Sequence, residues 1–203
     1  FPADFPEKSE EHSALLISYN GLMVKDYRDP SPLFQAVSDL GEVGKQITIN
    51  FYGRYSALAL PIAEKYQLSS QVYAYPSVSN KESLLIQIES DVLLHLLWND
   101  IDQPGVLTGK LYEYLGARRP ILAVGKYHHQ DEAAQLIVSR GAGLATNDPN
   151  VIKQQLIDWM NEKRQNGFIR QLPESVHQGL TRADQFKQLE KILLDLVAEH
   201  QHG

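Results

Sequence analysis

Two kinds of hydrophobic pattern alternate along the chain. Short, nearly continuous apolar runs rich in β-branched and aromatic residues are typical of buried strands. Between these runs, apolar residues recur at the spacing of amphipathic helices. The runs predict strands at Ala14–Tyr19, Gln46–Tyr52, Gln71–Tyr75, Asp91–Leu97, Pro120–Val124 and, less distinctly, Gly143–Thr146. The helical spacing predicts helices at Pro32–Leu40, Ser56–Gln67, Asn80–Glu89, Thr108–Gly116, Asp131–Ser139 and Val151–Lys163.

Strands that alternate with helices in this way indicate a mostly parallel sheet with helices on both faces. Right-handed crossovers then give a doubly wound, Rossmann-like α/β fold of about six strands. Ligands of such sheets bind outside the carboxyl ends of the strands, where the strand order reverses. We therefore expect function in the loops that follow the strands, at 20–30, 53–55, 76–80, 98–108 and 125–130.

The last part of the chain has a different pattern. The segment Leu180–His200 predicts a long amphipathic helix whose apolar stripe consists of Phe186, Leu189, Ile192, Leu193 and Leu196. Such a helix either completes the domain or reaches across to another one. The predicted organisation is a linker at 1–13, a main domain at 14–179, and a helix with a short tail at 180–203.

The composition narrows the class of protein. The chain has 203 residues, 43% of them hydrophobic, which suits one compact domain. No run of about 18 apolar residues marks a membrane span, and the net charge of −6 argues against nucleic acid as the main partner. The lack of cysteine excludes a disulfide framework and leads us to expect a cytoplasmic location. The first residues, 1–6, lack the basic region of a signal peptide and suggest a segment from within a longer chain.

A glycine-rich loop followed by a short helix occupies the segment 105–125, which reads GVLTGKLYEYLGARRPILAVG. Thr108 is the predicted N-cap, so the amides of Gly109, Lys110 and Leu111 should be free at the start of the helix. Together with the helix dipole and the Lys110 ammonium, these amides would bind phosphate oxygens. Glu113 lies on the same helix face and would accept the two hydroxyls of a ribose. This segment therefore predicts a nucleotide site.

Two other interpretations of the segment stay open at this stage. In the first, Lys110 and Glu113 form only a solvated ion pair on an ordinary helix. In the second, residues 105–110 are a P-loop for a nucleoside triphosphate. The spacing is one residue short of that motif, however, and Leu111 stands where a hydroxyl must hold magnesium. The P-loop is the weaker of the two.

Several residues outside this segment are also candidates. Arg54 follows Gly53 at the end of a predicted strand, where a guanidinium would bind a diphosphate, and Arg28 is a second cation of this kind in the first loop. His95 is expected to be a hydrogen-bonded core histidine. The adjacent pair His128 and His129 has no further ligands at metal-binding spacing, so no metal site is predicted.

The segment 109–123 resembles the nucleotide-sugar motif of retaining, group 1 glycosyltransferases with the two-domain GT-B fold. Three further pieces agree with this family in order and spacing, and the likeness extends from about residue 14 to about residue 160. These pieces are Tyr19-Asn-Gly21 with the run 28–34 (RDPSPLF), the run 47–53 (ITINFYG), and the run 90–95 (SDVLLH).

This resemblance implies the C-terminal, donor-binding domain of such an enzyme, with a Rossmann-like fold at 14–179. The donor would be a nucleotide-diphosphate sugar: a UDP-sugar on family frequency, with a GDP-sugar as the other choice. No metal or other cofactor would be required, and a separate N-terminal acceptor domain would complete the enzyme. No membrane span is expected, and peripheral membrane contact stays open for the full-length enzyme.

The resemblance also implies roles for individual residues. The catalytic groups would be Lys110 and Arg54, acting on the leaving diphosphate. The donor would be held by Gly21, Arg54, Tyr75, Ser77, Thr108, Gly109, Lys110, Leu111 and Glu113. The sequence departs from the family at Gly105, where many members carry a sugar-contacting glutamate, although Asp100 and Asp102 lie close by.

Two alternative functions remain. A sugar-nucleotide epimerase would have the same architecture but would need more acidic and histidine groups than this chain offers. A non-catalytic nucleotide-binding module would have the fold without an acceptor domain.

Overall fold

The computed structural model describes residues 14–100, 102 and 107–201, with side chains up to residue 197. Within these residues the strands are β1 (Leu15–Asn20), β2 (Ile47–Tyr52), β3 (Val72–Tyr75), β4 (Val92–Leu96), β5 (Ile121–Val124) and β6 (Gly143–Thr146). The α-helices are α1 (Ser31–Ser38), α2 (Leu60–Lys65), α3 (Asn80–Glu89), α4 (Gly109–Ala117), α5 (Glu132–Ser139), α6 (Pro149–Asn166) and α7 (Arg182–Gln201). The predicted linker at 1–13 lies outside the described residues.

The strands form one parallel sheet in the order β3-β2-β1-β4-β5-β6. This is the doubly wound order of Rossmann-like folds, so the predicted fold class is confirmed. The strand order reverses between β1 and β4. Strand β1 pairs with β2 from Leu15 to Asn20, whereas it pairs with β4 only at Ile17 and Ser18.

Helices cover both faces of the sheet and enclose two apolar cores. One core lies under α1, α2 and α6 and includes Phe34, Phe51 and Trp159. The other lies under α4 and α5 and includes Leu111 and Ile137. The sheet is therefore the middle of three layers.

Two helix boundaries differ from the sequence prediction because of proline. The predicted helix Ser56–Gln67 is divided into a 3-10 turn, Ser56–Ala59, and α2, which begins at Leu60. Pro61 is the reason, since it has no amide hydrogen to donate and its ring fits only the first turn of a helix. Helix α6 also has a proline in its first turn and begins at Pro149, two residues earlier than predicted. Asp148 caps this start by accepting a hydrogen bond from the amide of Asn150 at 2.8 Å.

Helix α7 exposes its apolar stripe. Phe186, Leu189, Ile192 and Leu193 are half or more exposed, so α7 adds little to the two cores. Among the described residues, no helix is both long enough and apolar enough to span a bilayer.

A buried ion pair connects α6 to the amino ends of the central strands. Lys163 donates to the carboxylate of Asp91 and, at 2.8 Å, to the carbonyl of Ala14. The same carboxylate accepts a hydrogen bond from the amide of Leu16 at 2.8 Å. Both side chains are almost completely buried, so the loss of either partner removes a close, oppositely charged contact from a buried charge.

We predict that Lys163→Met lowers the free energy of unfolding by about 3 kcal/mol, because the buried Asp91 carboxylate loses the ammonium that contacts it directly. Urea unfolding measures the effect. The matched control is Lys153→Met on the same helix, whose side chain has no ion pair with a described residue and should change stability by less than about 0.5 kcal/mol. Equal effects of the two substitutions would contradict a stabilising role of the ion pair between Lys163 and Asp91.

Candidate functional site

The candidate site lies where β1 and β4 separate, at the carboxyl ends of the strands. The register between β1 and β4 ends at Ser18 and Leu93, whereas β4 stays paired with β5 as far as Leu96. A reversal of strand order in a parallel sheet leaves a crevice at this point, and ligands of such folds bind there. The loops after β1 and β2 and the amino end of α4 lie at this edge.

The loops after β1 and β2 touch each other through two glycines. The amide of Gly21 donates to the carbonyl of Tyr52 at 2.9 Å. Gly53 has a φ of +132°, and a Cβ there would lie 2.1 Å from the carbonyl oxygen of Gly21. Only glycine allows this approach. The amide of Met23 then donates to the carbonyl of Arg54 at 3.1 Å, which holds the two loops side by side.

The amino end of α4 provides fewer free amides than predicted. Thr108 occupies the N-cap position with an extended backbone, but its side chain makes no capping hydrogen bond. The amides of Gly109 and Lys110 have no partner among the described residues. The prediction of a free amide at Leu111 is wrong, because this amide donates to the carbonyl of Thr108 at 3.0 Å, as the third amide of a helix commonly does.

No described atom crowds the first residue of this turn. A Cβ added to Gly109 would meet no described atom within 4 Å. The two amides without a described partner and the dipole of α4 are the features that favour an anion at a helix N-terminus.

The side chains of Lys110 and Glu113 form an ion pair of 2.6 Å. The first alternative also expects this pair, and its two side chains are only partly exposed, at 28% and 27%. Two residues of α3 complete the arrangement. Ser83 accepts from Lys110 at 3.2 Å, and Gln87 donates to Glu113 at 3.0 Å and to Ser83 at 3.1 Å. The result is a closed ring of hydrogen bonds between α3 and α4.

The residue after Glu113 attaches α4 to the sheet. The hydroxyl of Tyr114 accepts a hydrogen bond from the buried amide of Asn20 at 2.8 Å. Burial raises the pKa of Tyr114 well above its usual value, so the phenol stays protonated. Residues Lys110 and Glu113 are thus fixed relative to the carboxyl end of β1.

His95 lies beside Tyr114 in β4 and is buried. Burial, with a smaller effect of the Arg28 charge, lowers the pKa of His95 to about 4. The imidazole is therefore neutral at physiological pH.

Arg28 connects the loops after β1 and β4. Its guanidinium donates to the carbonyl of Leu96 at 2.8 Å and lies 5.8 Å from the ring centroid of Trp98. Trp98 also stacks on Tyr27 at 4.4 Å. These contacts use the Trp98 ring to hold the two loops together.

The other predicted residues lie further along the same edge. Tyr75 stacks on Tyr52 at 4.7 Å and is partly exposed. Ser77 is exposed in the loop before α3, and Arg54 is exposed with its guanidinium 5.8 Å from the ring of Tyr55. No described hydrogen bond or ion pair connects these three residues to Lys110 or Glu113. Their roles in binding stay predictions.

The acidic and histidine candidates do not form a metal site within the described part of the chain. No group of three or more potential ligands occurs there. The amide of Asp102 donates to Asp100 at 3.0 Å, and the rings of His128 and His129 lie 3.8 Å apart. Gly105 lies outside the described residues.

Two residues that surround Lys110 and Glu113 were not predicted from the sequence. Ser83 and Gln87 are one helical turn apart on α3 and are buried like the neighbouring apolar residues. The signal that was available is the occurrence of two polar residues at i and i+4 on a helix whose core face also holds Leu84 and Ile88.

Comparison with solved structures identifies the fold. A glycosyltransferase from Rickettsia africae superimposes on 92% of this chain and 48% of its own, with a TM-score of 0.69 and 13% identity. WaaG, a glycosyltransferase of lipopolysaccharide biosynthesis, matches 82% of this chain and 42% of its own, with a TM-score of 0.59 and 16% identity. The chain therefore has the fold of about half of each of these glycosyltransferases.

HepE of Anabaena, solved in complex with UDP, matches 92% of this chain and 49% of its own, with a TM-score of 0.64 and 9% identity. At such identities the likeness is one of fold. The chain spans less than half the length of each of these three proteins. No protein-family model and no curated protein matches the sequence.

We predict that His95 makes stability depend on pH between about 4 and 6.5. Because its pKa is lowered in the folded state, the unfolded chain binds the proton more readily in this range. The contribution of His95 is complete above pH 6.5 and should fall by about 3 kcal/mol by pH 4. Urea unfolding of the wild type and of His95→Gln across this range measures it. A difference between them that does not change with pH would contradict the prediction.

Proposed function

We propose that this chain is the donor-binding half of a glycosyltransferase that transfers a sugar from a nucleotide-diphosphate sugar to a hydroxyl acceptor. The observation that carries the proposal is the pair Lys110 and Glu113 near the amino end of α4, at the reversal point of a glycosyltransferase fold. One cation and one anion at the start of a helix match the two polar parts of a nucleoside diphosphate.

The phosphate part would bind to the helix end. The amides of Gly109 and Lys110 and the Lys110 ammonium are all donors, and the dipole of α4 adds positive potential. As the sugar departs, negative charge grows on the diphosphate. Donors fixed before the reaction stabilise that charge without a cost of reorganisation, which makes Lys110 the proposed catalytic cation. Arg54, which has no ion-pair partner among the described residues, is the proposed second one.

The ribose part would bind to Glu113. A carboxylate accepts hydrogen bonds from two neighbouring hydroxyls, and such charge-assisted bonds are stronger than neutral ones. Glu113 is now paired with Lys110, so binding of the diphosphate would draw the ammonium away and free the carboxylate for the ribose. The ion pair keeps both groups in place until the donor arrives.

The donor and the rest of the enzyme are proposed on similarity. UDP is the preferred nucleotide, since HepE was solved with UDP and with UDP-glucose. The acceptor site would lie in a further domain, because about half of each structural neighbour has no counterpart in this chain. Retention of the anomeric configuration and independence from metal ions follow the resemblance to the retaining family.

We predict that UDP raises the melting temperature of this chain by binding to the folded state, and that EDTA does not reduce the effect. Uridine is the control, because it lacks the phosphates that the α4 donors would bind and should give a much smaller shift. Scanning calorimetry at millimolar nucleotide measures the response. If neither UDP nor GDP stabilises the chain, the proposed function is wrong.

We predict opposite effects of Glu113→Ala on two ligands. Affinity for UDP should fall by about 2 kcal/mol, since the ribose loses charge-assisted hydrogen bonds. Affinity for inorganic pyrophosphate should hold or rise, because Lys110 no longer has a competing partner. Titration calorimetry measures both affinities, and Glu64→Ala, at an exposed position of α2, is the control. A parallel loss for both ligands would count against a ribose contact.

A further inference from the structure

We propose that Gln87 is a positioning residue that holds the Glu113 carboxylate in the orientation needed to accept the ribose hydroxyls. This inference rests on the proposed function, because it concerns the same nucleotide site. It assigns a role to a residue of α3, whereas the predicted nucleotide contacts come from α4 and the loops.

Gln87 is completely buried between α3 and α4. Burial of an amide is favourable only when its polar atoms are hydrogen-bonded. The Nε2 atom meets this condition with Glu113 at 3.0 Å and Ser83 at 3.1 Å, but Oε1 is buried without a partner among the described residues. An apolar side chain of similar size would avoid this cost. The hydrogen bond that Gln87 donates to Glu113 explains why an amide side chain occupies this position.

The hydrogen bonds of Glu113 are concentrated on one of its two oxygens. Oε2 accepts from Lys110 at 2.6 Å and from Gln87 at 3.0 Å, while Oε1 has no partner among the described residues. Two donors on one oxygen fix the rotation of the carboxylate group. The other oxygen is left for a ligand.

Lys110 cannot keep this orientation once a donor substrate has bound. A diphosphate attracts the ammonium away from Glu113, and the amide of Gln87 then remains as the one described donor to Oε2. Because an amide is neutral, it orients the carboxylate without cancelling its charge and without competing for the phosphates. Gln87 can therefore orient the Glu113 carboxylate when the donor is bound, whereas the ion pair with Lys110 cannot.

The test compares UDP with 2′-deoxy-UDP, which lacks one ribose hydroxyl. For the wild type we expect UDP to bind about tenfold more tightly, as loss of a charge-assisted hydrogen bond implies. In Gln87→Met, which keeps the shape but removes the donor, this ratio should fall to about twofold, while the affinity for 2′-deoxy-UDP should hardly change. In a Glu113→Ala background, Gln87→Met should have no further effect on the ratio.

The controls separate a positioning role from a structural one. Gln71 is also buried, but it donates to the carbonyls of Gly44 and Ile47 at the amino end of the sheet. Gln71→Met should lower stability and leave the ratio unchanged. If Gln87→Met does not fold, Gln87→Asn keeps an amide that is too short to reach Glu113 and should give the same twofold ratio.

Three outcomes would overturn the inference. If Glu113→Ala abolishes the preference for UDP while the Gln87 variants keep it near tenfold, Gln87 does not position Glu113, and the proposed function stands. If the wild type binds both nucleotides equally, Glu113 makes no contact with the 2′ hydroxyl and this inference fails, whereas the nucleotide site stands. If the wild type binds neither nucleotide, the proposed nucleotide site fails together with this inference.

Discussion

Where β1 and β4 run past their last paired residues, their backbone groups lose the partners that a parallel ladder provides. The buried amide of Asn20 donates instead to the hydroxyl of Tyr114 at 2.8 Å. The carbonyl of Leu96 accepts from Arg28 at 2.8 Å. At the other end of this β1–β4 seam, as we call the line along which the two strands meet, the amide of Leu16 donates to the carboxylate of Asp91. Side chains thus complete a ladder that is only two residue pairs long.

The way in which this seam is completed determines where the candidate site lies. Tyr114 can reach the amide of Asn20 only if α4 lies over the carboxyl end of β1, and this brings the first turn of α4 to the reversal point. Lys110 and Glu113 then face α3, where Lys110 donates to Ser83 and Glu113 accepts from Gln87. The same hydrogen bond that satisfies a strand end therefore also positions the charged residues.

The sequence predicted the elements well because their signals are local. The bounds of α3 and β6 agree with the prediction, and the other strands differ by one residue at one or both ends. Errors occurred where a single residue acts on the backbone, as Pro61 does in dividing the predicted helix. The ring around Glu113 could not be predicted in this way. It joins Gln87 to Glu113, which are 26 positions apart in the chain, and it depends on how two helices pack.

The candidate site was predicted in its charged residues but not in its surroundings. Lys110 and Glu113 were predicted from the five residues 109–113, and the structure brings their side chains together. The further candidates Arg54, Tyr75 and Ser77 lie on the same edge of the sheet, which the fold alone implies, and their contacts with a ligand stay predictions. The free amide at Leu111 was a local error, because the first turn of a helix commonly tightens.

The two separate cores have a consequence for engineering. The hydrogen-bonded ring lies on the face of the sheet that α3 and α4 cover, whereas α1, α2 and α6 pack on the opposite face. Substitutions that improve packing under α1, α2 and α6 would raise the thermal stability of the sheet without changing a residue of the ring. A designer can therefore make the scaffold more stable through one face while changing the residues of the ring on the other.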